Sequence, residues 1–540
     1  LEHELSVIHR VGLEDYFLLV WDICRYAHQH DIPAQGRGSA AGSIVAYVLD
    51  ITRVDPIEHD LLFERFLSEE RGTIPDIDID FSREGREEVI EYVYRRYGED
   101  HAAMVCTVIT FQARSAIRGV GKALGFPPDL LDRIAKSVYG FDPEALSRAV
   151  ADAQGRVKAL PWQHLISLCK QIWGYPRHLN VHVGGMIITG SSLVEVIPLE
   201  RARKEGIVVT QVDKDDIADI GLIKTDLLSL ATLSLVKEAV QLVDETEGIS
   251  LQLDRLTPFD DPAIYEMICE PDTIGLFQVE SRAQIQMLPK MQPGEFSDIV
   301  VEVAIVRPGP IQGKMTHPYL QRRQGLEKVT YPHTKLEPVL KETLGVIIFQ
   351  EQVLRVASVI GGFTPGEGEL LRRAMSRKRS HEEIEKLRAR FVRGAMRNGL
   401  PVAQANRVFD QLAAFGGYGF CKSHAAAFAR TTYETAYLKL YHPLAFYTAL
   451  LNNQPMGFYA PCVIVEDAKR HGIAVLSVDI NRSHAKCTIE NGALRLGFEY
   501  VDGIGEAALR TLKREREKGP HSSLREFCER TRLATPAIEN

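Results

Sequence analysis

Ile74-Pro75-Asp76-Ile77-Asp78-Ile79-Asp80-Phe81 alternates apolar and acidic residues with a period of two. That period is the signature of a strand whose side chains point to alternate faces. Asp76, Asp78 and Asp80 then share one face, while Ile77, Ile79 and Phe81 share the other and can anchor a sheet in a core. Carboxylates at steps of roughly 6–7 Å repel one another and push their pKa values up. A pair of divalent cations, in two-metal sites about 3.5–4 Å apart, removes that repulsion. Hard oxygen ligands suit Mg²⁺, whose shell substrate phosphates complete. A solvated strand whose charges block edge-to-edge association is the alternative, and eight residues do not choose between the two.

About 35 residues upstream stands Gln35-Gly36-Arg37-Gly38-Ser39-Ala40-Ala41-Gly42-Ser43, followed by the helical run Ile44–Leu49. Small residues opening a helix let backbone N–H groups point at an anion, helped by the helix dipole. A plain tight turn has the same composition. No Gly-Lys-Ser/Thr follows, and the third glycine falls one residue late for GxGxxG. Downstream, Ser82 can cap a helix running to about Tyr97, with Val89, Val93 and Tyr97 on its buried side. Residues 102–110 read as a second strand. A helix over 111–124 places Arg114, Arg118 and Lys122 in one basic stripe, either a solvated face or a track for a phosphate backbone. Gly125-Phe126-Pro127-Pro128 breaks that helix, and 128–180 continues mostly helical.

Val181–Ile188 and Val208–Val212 return to strand character. Asp226 follows among strand-like apolar residues, as a third ligand or as a turn aspartate before a helix from about Ser229. Asp213, Asp215 and Asp216 compete with it from a polar, loop-like cluster. Residues 233–455 are helix-rich and are punctuated by Arg307-Pro308-Gly309-Pro310. Their densest basic cluster is Leu370–Arg379, where Arg372, Arg373 and Arg377 fall on one broad helical face. Guanidinium forks match phosphate oxygens, although Glu382, Glu383 and Glu385 offer local partners. Phe415–His424 combines a glycine loop, aromatic faces and a cation, a set that suits a base plus a phosphate. In the tail, Thr488–Leu496 predicts a hairpin with an Asn-Gly turn. Val501–Ala507 places glycines at a helix start, a helix-hairpin-helix-like phosphate grip or an ordinary turn.

The 540 residues are 45% hydrophobic and 25% charged, an ordinary globular composition for about three or four domains. A net charge of −8 supplies no global basic field, so any nucleic acid must bind through local basic faces. The eight cysteines are scattered without a CxxC pair, as in reduced cytosolic thiols. No apolar run approaches 18 residues and no charged-then-apolar leader opens the chain, which predicts a soluble cytoplasmic protein with no membrane partner. Leu1 stands where a start methionine would, which predicts a piece of a longer chain.

Taken together, these segments resemble the C-family bacterial replicative polymerases, the DNA polymerase III alpha subunit and its error-prone paralogue. The matching pieces, in the family's order, are Gly36–Ser43, Leu61–Leu67, Pro75–Phe81, His182–Gly185, Lys224–Leu230, Arg307–Pro310, Phe349–Val353, Arg372–Lys378 and Tyr418–His424. The resemblance implies a multidomain α/β fold: a polymerase-beta-like nucleotidyltransferase palm, an inserted helical thumb, helix-rich fingers and a helix-hairpin-helix-like C-terminal segment. The expected boundaries are palm 1–110, thumb 111–180, palm 181–232, fingers 233–455 and a truncated C-terminal region 456–540. By the same resemblance Asp76, Asp78 and Asp226 hold two Mg²⁺ ions, and Asp80 is a neighbour rather than a principal ligand. Gly36, Arg37, Gly38, Ser39, Arg372, Arg373, Lys378, Lys422 and His424 are the implied nucleotide-binding positions.

The basic stripe Arg114, Arg118 and Lys122 and the glycines Gly503 and Gly505 are the expected DNA contacts. The implied partners are primer-template DNA and dNTPs, with a sliding clamp and other replication or repair proteins reached through regions outside this chain. Val279–Gln284, Leu288-Pro289 and Leu451–Tyr459 resemble the error-prone paralogue, whereas Lys422 within Gly-Phe-Cys-Lys-Ser-His is closer to the replicative form. The family's N-terminal phosphoesterase-like domain has no counterpart here. The expected activity is template-directed DNA synthesis. A catalytically silent DNA-binding scaffold and a nucleotidyltransferase acting on a small or RNA substrate are the alternatives.

Overall fold

A computed structural model describes residues 1–69, 75–138, 147–151, 161–306, 316–376, 381–416 and 419–539. Its strands, in chain order, are β1 (Ala34–Arg37), β2 (Asp78–Phe81), β3 (Ala102–Thr110), β4 (Pro176–Ile188), β5 (Leu199–Arg201), β6 (Val208–Thr210), β7 (Lys224–Ser229), β8 (Val475–Leu476), β9 (Thr488–Glu490) and β10 (Ala493–Arg495). The chain divides into two compact units, Leu1–Ile90 with Leu227–Asn540, and Glu91–Asp226. Among the described residues no helix is long and apolar enough to cross a membrane.

In the first unit β1 runs antiparallel to β2, with Gln35 opposite Asp80, Gly36 opposite Ile79 and Arg37 opposite Asp78. The strand expected from residue 74 starts only at Asp78. Pro75 has no N–H for a ladder, and the N–H of Ile77 goes instead to the Tyr16 hydroxyl at 3.0 Å. Ile77, Ile79 and Phe81 are fully buried, as the alternation predicts. The acidic face is graded rather than uniform: Asp76 is exposed, Asp78 half-buried and Asp80 buried.

The main core of this unit gathers residues of the helices Ala231–Glu247, Pro262–Cys269, Phe296–Ile305, Lys422–Tyr441 and Pro443–Asn452. Helix Lys422–Tyr441 is buried along most of its length, and Ala425–Ala427 and Ala429 let its neighbours approach closely. Its buried Arg430 and Lys439 are ion-paired, Arg430 with Glu434 at 3.1 Å and Lys439 with Asp272 at 2.7 Å.

A second core joins helices Gln350–Gly361, Pro365–Ser376, His381–Arg397 and Val402–Gly416. There Gly394 lies so close to helix Gln350–Gly361 that a Cβ would stand 1.7 Å from the Gly361 carbonyl oxygen. Gly394→Ala should gain about 1 kcal/mol of helix propensity and lose about 3 kcal/mol to overpacking. The expected net loss of about 2 kcal/mol would be read as a lower urea midpoint.

Near the C-terminus β10 pairs antiparallel with β9 and parallel with β8. Asn491 and Gly492 take φ +52° and +77°, the conformation the predicted Asn-Gly turn requires. Phe498, Leu512 and Phe527 form a small core beneath helices Glu506–Arg516 and Leu524–Thr531.

The second unit is built on a mixed sheet. β3 runs antiparallel to β4 and parallel to β6, β6 pairs antiparallel with β5, and β4 pairs antiparallel with the start of β7. Helices Ala113–Ala123, Pro128–Ser137 and Trp162–Ile172 share an apolar core in which Phe126 meets Trp162 edge-on at 4.9 Å. β7 carries the chain back into the first unit, where the Leu230 N–H donates to the Phe81 carbonyl at 2.9 Å.

Candidate active site

β1 ends in a short 3₁₀ turn, Gly38–Gly42. Gly36 packs so tightly that a Cβ would lie 2.4 Å from the Ile51 carbonyl oxygen. Gly38 has φ +70°, and a Cβ there would lie 3.4 Å from Asp78 Oδ2, so the turn sets bare backbone against the acidic strand. The start of helix Lys422–Tyr441 closes on the same residue. The Gly38 N–H donates to His424 Nδ1 at 3.2 Å, across 386 residues of sequence, and the Ser423 hydroxyl donates to the Gly38 carbonyl at 2.8 Å. The His424 ring packs on Phe428 at 4.1 Å and Phe420 at 5.2 Å. Gly36, Arg37, Gly38, Ser39 and His424 are thereby brought together at the end of β1, where Gly38 lies beside Asp78.

The anion expected at the start of helix Ile44–Val48 is supplied from within the chain. Glu4, buried, takes the Ser43 hydroxyl at 2.7 Å and the N–H groups of Ile44 and Val45 at 3.1 Å each. A phosphate at this loop would therefore meet the Gly38–Ser39 turn rather than the helix end.

The three strand aspartates are not equivalent. Asp80 is sealed beneath Arg37, whose guanidinium stands 3.3 Å from Asp80 Oδ2. Burial pushes the Asp80 carboxyl up to about 6, against the opposing pull of Arg37. Asp78 is half-buried and Asp76 exposed. Asp226, in the second unit, lies within β7 opposite Gly185 rather than at a turn. Its Oδ2 meets Lys224 Nζ at 2.6 Å, while its Oδ1 is buried with no hydrogen-bond partner among the described residues. His182 Nδ1 accepts the N–H groups of Gly184 and Gly185 at 3.2 and 2.7 Å and lies 3.9 Å from Asp226 Oδ1. Burial holds His182 below its ordinary value, consistent with an accepting Nδ1. The rival cluster has a structural role, since Asp213 caps helix Lys214–Ile220 by accepting from the Asp215 and Asp216 N–H groups at 2.9 and 3.2 Å.

Carboxylate oxygens are the donors Mg²⁺ takes, and a buried oxygen without a partner is what a missing cation would leave at Asp226. Asp76 and Asp78 in the first unit and Asp226 in the second are each of the donor type a divalent ion takes. Asp272, Asp467 and His471 also have metal-like spacing, but their cation is the Lys439 ammonium, fully buried, which donates to Asp272 Oδ1 at 2.7 Å and to Asp467 Oδ2 at 3.2 Å.

Of the predicted fingers cations, Arg372 is buried and bound twice by Glu369, at 2.7 Å each, with Glu369 itself fully buried. Arg373 lies half-buried on the same helix. Lys422 Nζ pairs with Glu342 at 2.8 Å and lies 6.0 Å from the centre of the Phe349 ring. Lys378, Arg377 and Arg307–Pro310 lie outside the described residues.

Arg114, Arg118 and Lys122 are all exposed on helix Ala113–Ala123, where Arg118 pairs with Asp132 at 2.7 Å. Motif reading missed the neighbouring ribbon of β3 and β4. Leading into it and along β4, Trp173, Tyr175 and Val183 are 41%, 64% and 76% exposed. The ribbon had a signal in the sequence: residues 101–128 and 153–194 contain no aspartate or glutamate in a chain with 72 of them. Such segregation suits a polyanion. Gly503, at φ +86°, and Gly505, the residue before helix Glu506–Arg516, are both exposed.

Known domains match this chain in the same order. The bacterial DNA polymerase III alpha NTPase domain matches residues 1–229, the polymerase III alpha subunit finger domain residues 232–399, and a helix-hairpin-helix motif residues 472–540. The chain belongs to the C-family bacterial DNA polymerases of the polymerase III alpha type. Within that family it is similar over its full length to error-prone DNA polymerases. It is 47% identical to that of Anaeromyxobacter dehalogenans strain 2CP-C, over 99% of this chain and 49% of the relative. It is 44% identical to those of Teredinibacter turnerae and Methylococcus capsulatus, over all of this chain and 53% and 54% of the relatives. The chain spans about half the length of the curated relatives it matches. These relatives stand on the error-prone side, towards which Val279–Gln284 and Leu451–Tyr459 point.

Proposed function

We propose that this chain carries the catalytic centre of a template-directed DNA polymerase of the error-prone branch, adding dNMP to a primer 3′-hydroxyl. The observation that carries the proposal is the clamp at Gly38, which joins a glycine-rich backbone turn, the acidic strand and His424. Asp76, Asp78 and Asp226 would hold two Mg²⁺ ions, which would supply a lowered pKa at the primer hydroxyl and charge neutralisation at the leaving pyrophosphate. The Gly38–Ser39 turn would face the triphosphate, with Arg372, Arg373 and Lys422 as its cations and Lys378 assigned to the same group by the resemblance alone. Because His424 Nδ1 accepts the Gly38 N–H, the neutral ring carries its proton on Nε2. The buried Glu369 holds one face of Arg372, so that residue orients the site while Arg373 and Lys422 approach the charge.

In this reading residues 1–110 and 181–232 are the palm, 111–180 the thumb, 233–455 the fingers and 456–540 the region that grips DNA through Gly503 and Gly505. Replacing Arg114 and Lys122 together by alanine should weaken primer-template binding similarly on all sequences. It should also flatten the slope of log K against log salt by up to about 0.9 per lost contact, about 1.8 in all, as titrations at several salt concentrations would show. Primer extension with Mg²⁺ and four dNTPs tests the function itself. DNA binding without extension would favour the silent scaffold, and extension only with ribonucleotides would favour a nucleotidyltransferase acting on a small or RNA substrate.

A further inference from the structure

Phe349-Gln350-Glu351-Gln352-Val353 touches no group assigned to metal or DNA, yet its polar side chains converge on the loop before His424. The Gln350 N–H donates to the Phe420 carbonyl at 2.8 Å, and the Phe420 N–H donates to the Ile348 carbonyl at 3.3 Å. Gln350 Nε2 donates to the Gly419 carbonyl at 2.7 Å, while its Oε1 accepts from Arg65 Nε at 2.7 Å, which fixes the amide's orientation. Glu351 is 3% exposed, and its two carboxylate oxygens accept the Lys422 N–H at 3.0 and 2.9 Å. The Cys421 thiol lies 3.5 Å from the same carboxylate. A buried carboxylate at the N-terminus of a 20-residue helix meets both its free N–H groups and the positive end of its dipole. Gln352 holds the turn itself, its Oε1 accepting from the Ile348 and Phe349 N–H groups at 2.8 and 3.0 Å.

We infer that Gln350 and Glu351 are positioning residues of the nucleotide site. They buckle residues 419–422 in place, and Ser423 and His424 transmit that placement to both backbone groups of Gly38. Arg65 extends the buckle towards the second arm of the site, since its guanidinium lies 4.0 Å from the Glu369 carboxylate that holds Arg372. Glu351 is buried and Gln350 is half-buried with both ends of its amide held, so the two act through the loop and not on substrate. The inference rests on the polymerase reading of the same site.

The test is templated single-nucleotide incorporation by the whole chain across a range of dNTP concentrations, with primer-template affinity measured in parallel. Glu351→Ala removes a charge-assisted bond at the helix start and should raise KM for dNTP about tenfold, with kcat within about threefold and DNA affinity unchanged. Glu351→Gln keeps an oxygen for the Lys422 N–H and should stay within about threefold of the wild-type KM. Glu351→Ala combined with His424→Ala should cost less than the sum of the two, because both act through one helix end. An unchanged KM in folded Glu351→Ala overturns the inference, as does equal loss of dNTP and DNA affinity. Should Glu351→Ala fail to fold, Gln350→Ala is read in the same way, and an unchanged KM there overturns it. A wild-type chain that does not extend overturns the polymerase reading and this inference together, whereas extension with unchanged KM overturns only the inference.

Discussion

Asp78→Asn should slow Mg²⁺-dependent primer extension on the order of 10³-fold or more while leaving primer-template affinity within about threefold. The substitution keeps the shape of the side chain, so the β1–β2 ladder and the Gly38 turn should stand. What it removes is one negative charge on the half-buried oxygens nearest Gly38. Metal-borne stabilisation of phosphoryl charge amounts to several kcal/mol, and each 1.36 kcal/mol is about tenfold in rate. DNA affinity comes mainly from cations on phosphates, so removal of an acid should not weaken it. Single-turnover rates on a matched primer-template would show the effect, and undiminished extension would take the acidic strand out of the catalytic centre.

Lys439→Met should destabilise the first unit by about 3–5 kcal/mol, the usual cost of stripping one partner from a buried ion pair. The Lys439 side chain is fully buried and also donates to the Asp272 and Ile274 carbonyls at 3.2 and 3.1 Å. Without it the buried Asp467 would keep, among the described residues, Arg470 at 2.9 Å as its cation. The opposed influences on Asp467 agree: burial would raise its carboxyl, but Lys439 and its hydrogen bonds hold it below the ordinary aspartate range. Denaturant titration of the variant measures the loss. A variant as stable as wild type would mean that Asp272, Asp467 and His471 need no ammonium, and would reopen them as a metal site.

Much of the frame was legible because local chemistry set it. Residues 102–110 form a strand over the predicted span, the Asn-Gly pair turns the hairpin, and Asp226 lies in a strand as one of two readings required. Pro75 shortened the acidic strand for a reason visible in its own chemistry, the missing N–H. What could not be read was long-range. Alternation cannot reveal that Asp80 lies under Arg37, and a glycine loop before a helix cannot reveal that Glu4 already fills the helix end. For the basic cluster around Arg372, sequence spacing offers a phosphate or the local Glu382, Glu383 and Glu385 as partners, and periodicity does not show that Glu369 holds Arg372 from the buried side. The Gly38–His424 contact closes 386 residues of chain, a separation at which no spacing rule operates. The acid-free ribbon of β3 and β4 is the opposite case, a signal present in composition that motif reading passed over.

The most direct measurement offers the chain a primed template with Mg²⁺ and each dNTP singly, and follows the primer by one nucleotide. Addition of the complementary nucleotide in preference to the other three is expected, abolished by chelation of the metal and by Asp78→Asn. A chain that binds the primed template yet adds no nucleotide, or adds all four alike whatever the template base, would contradict the polymerase reading.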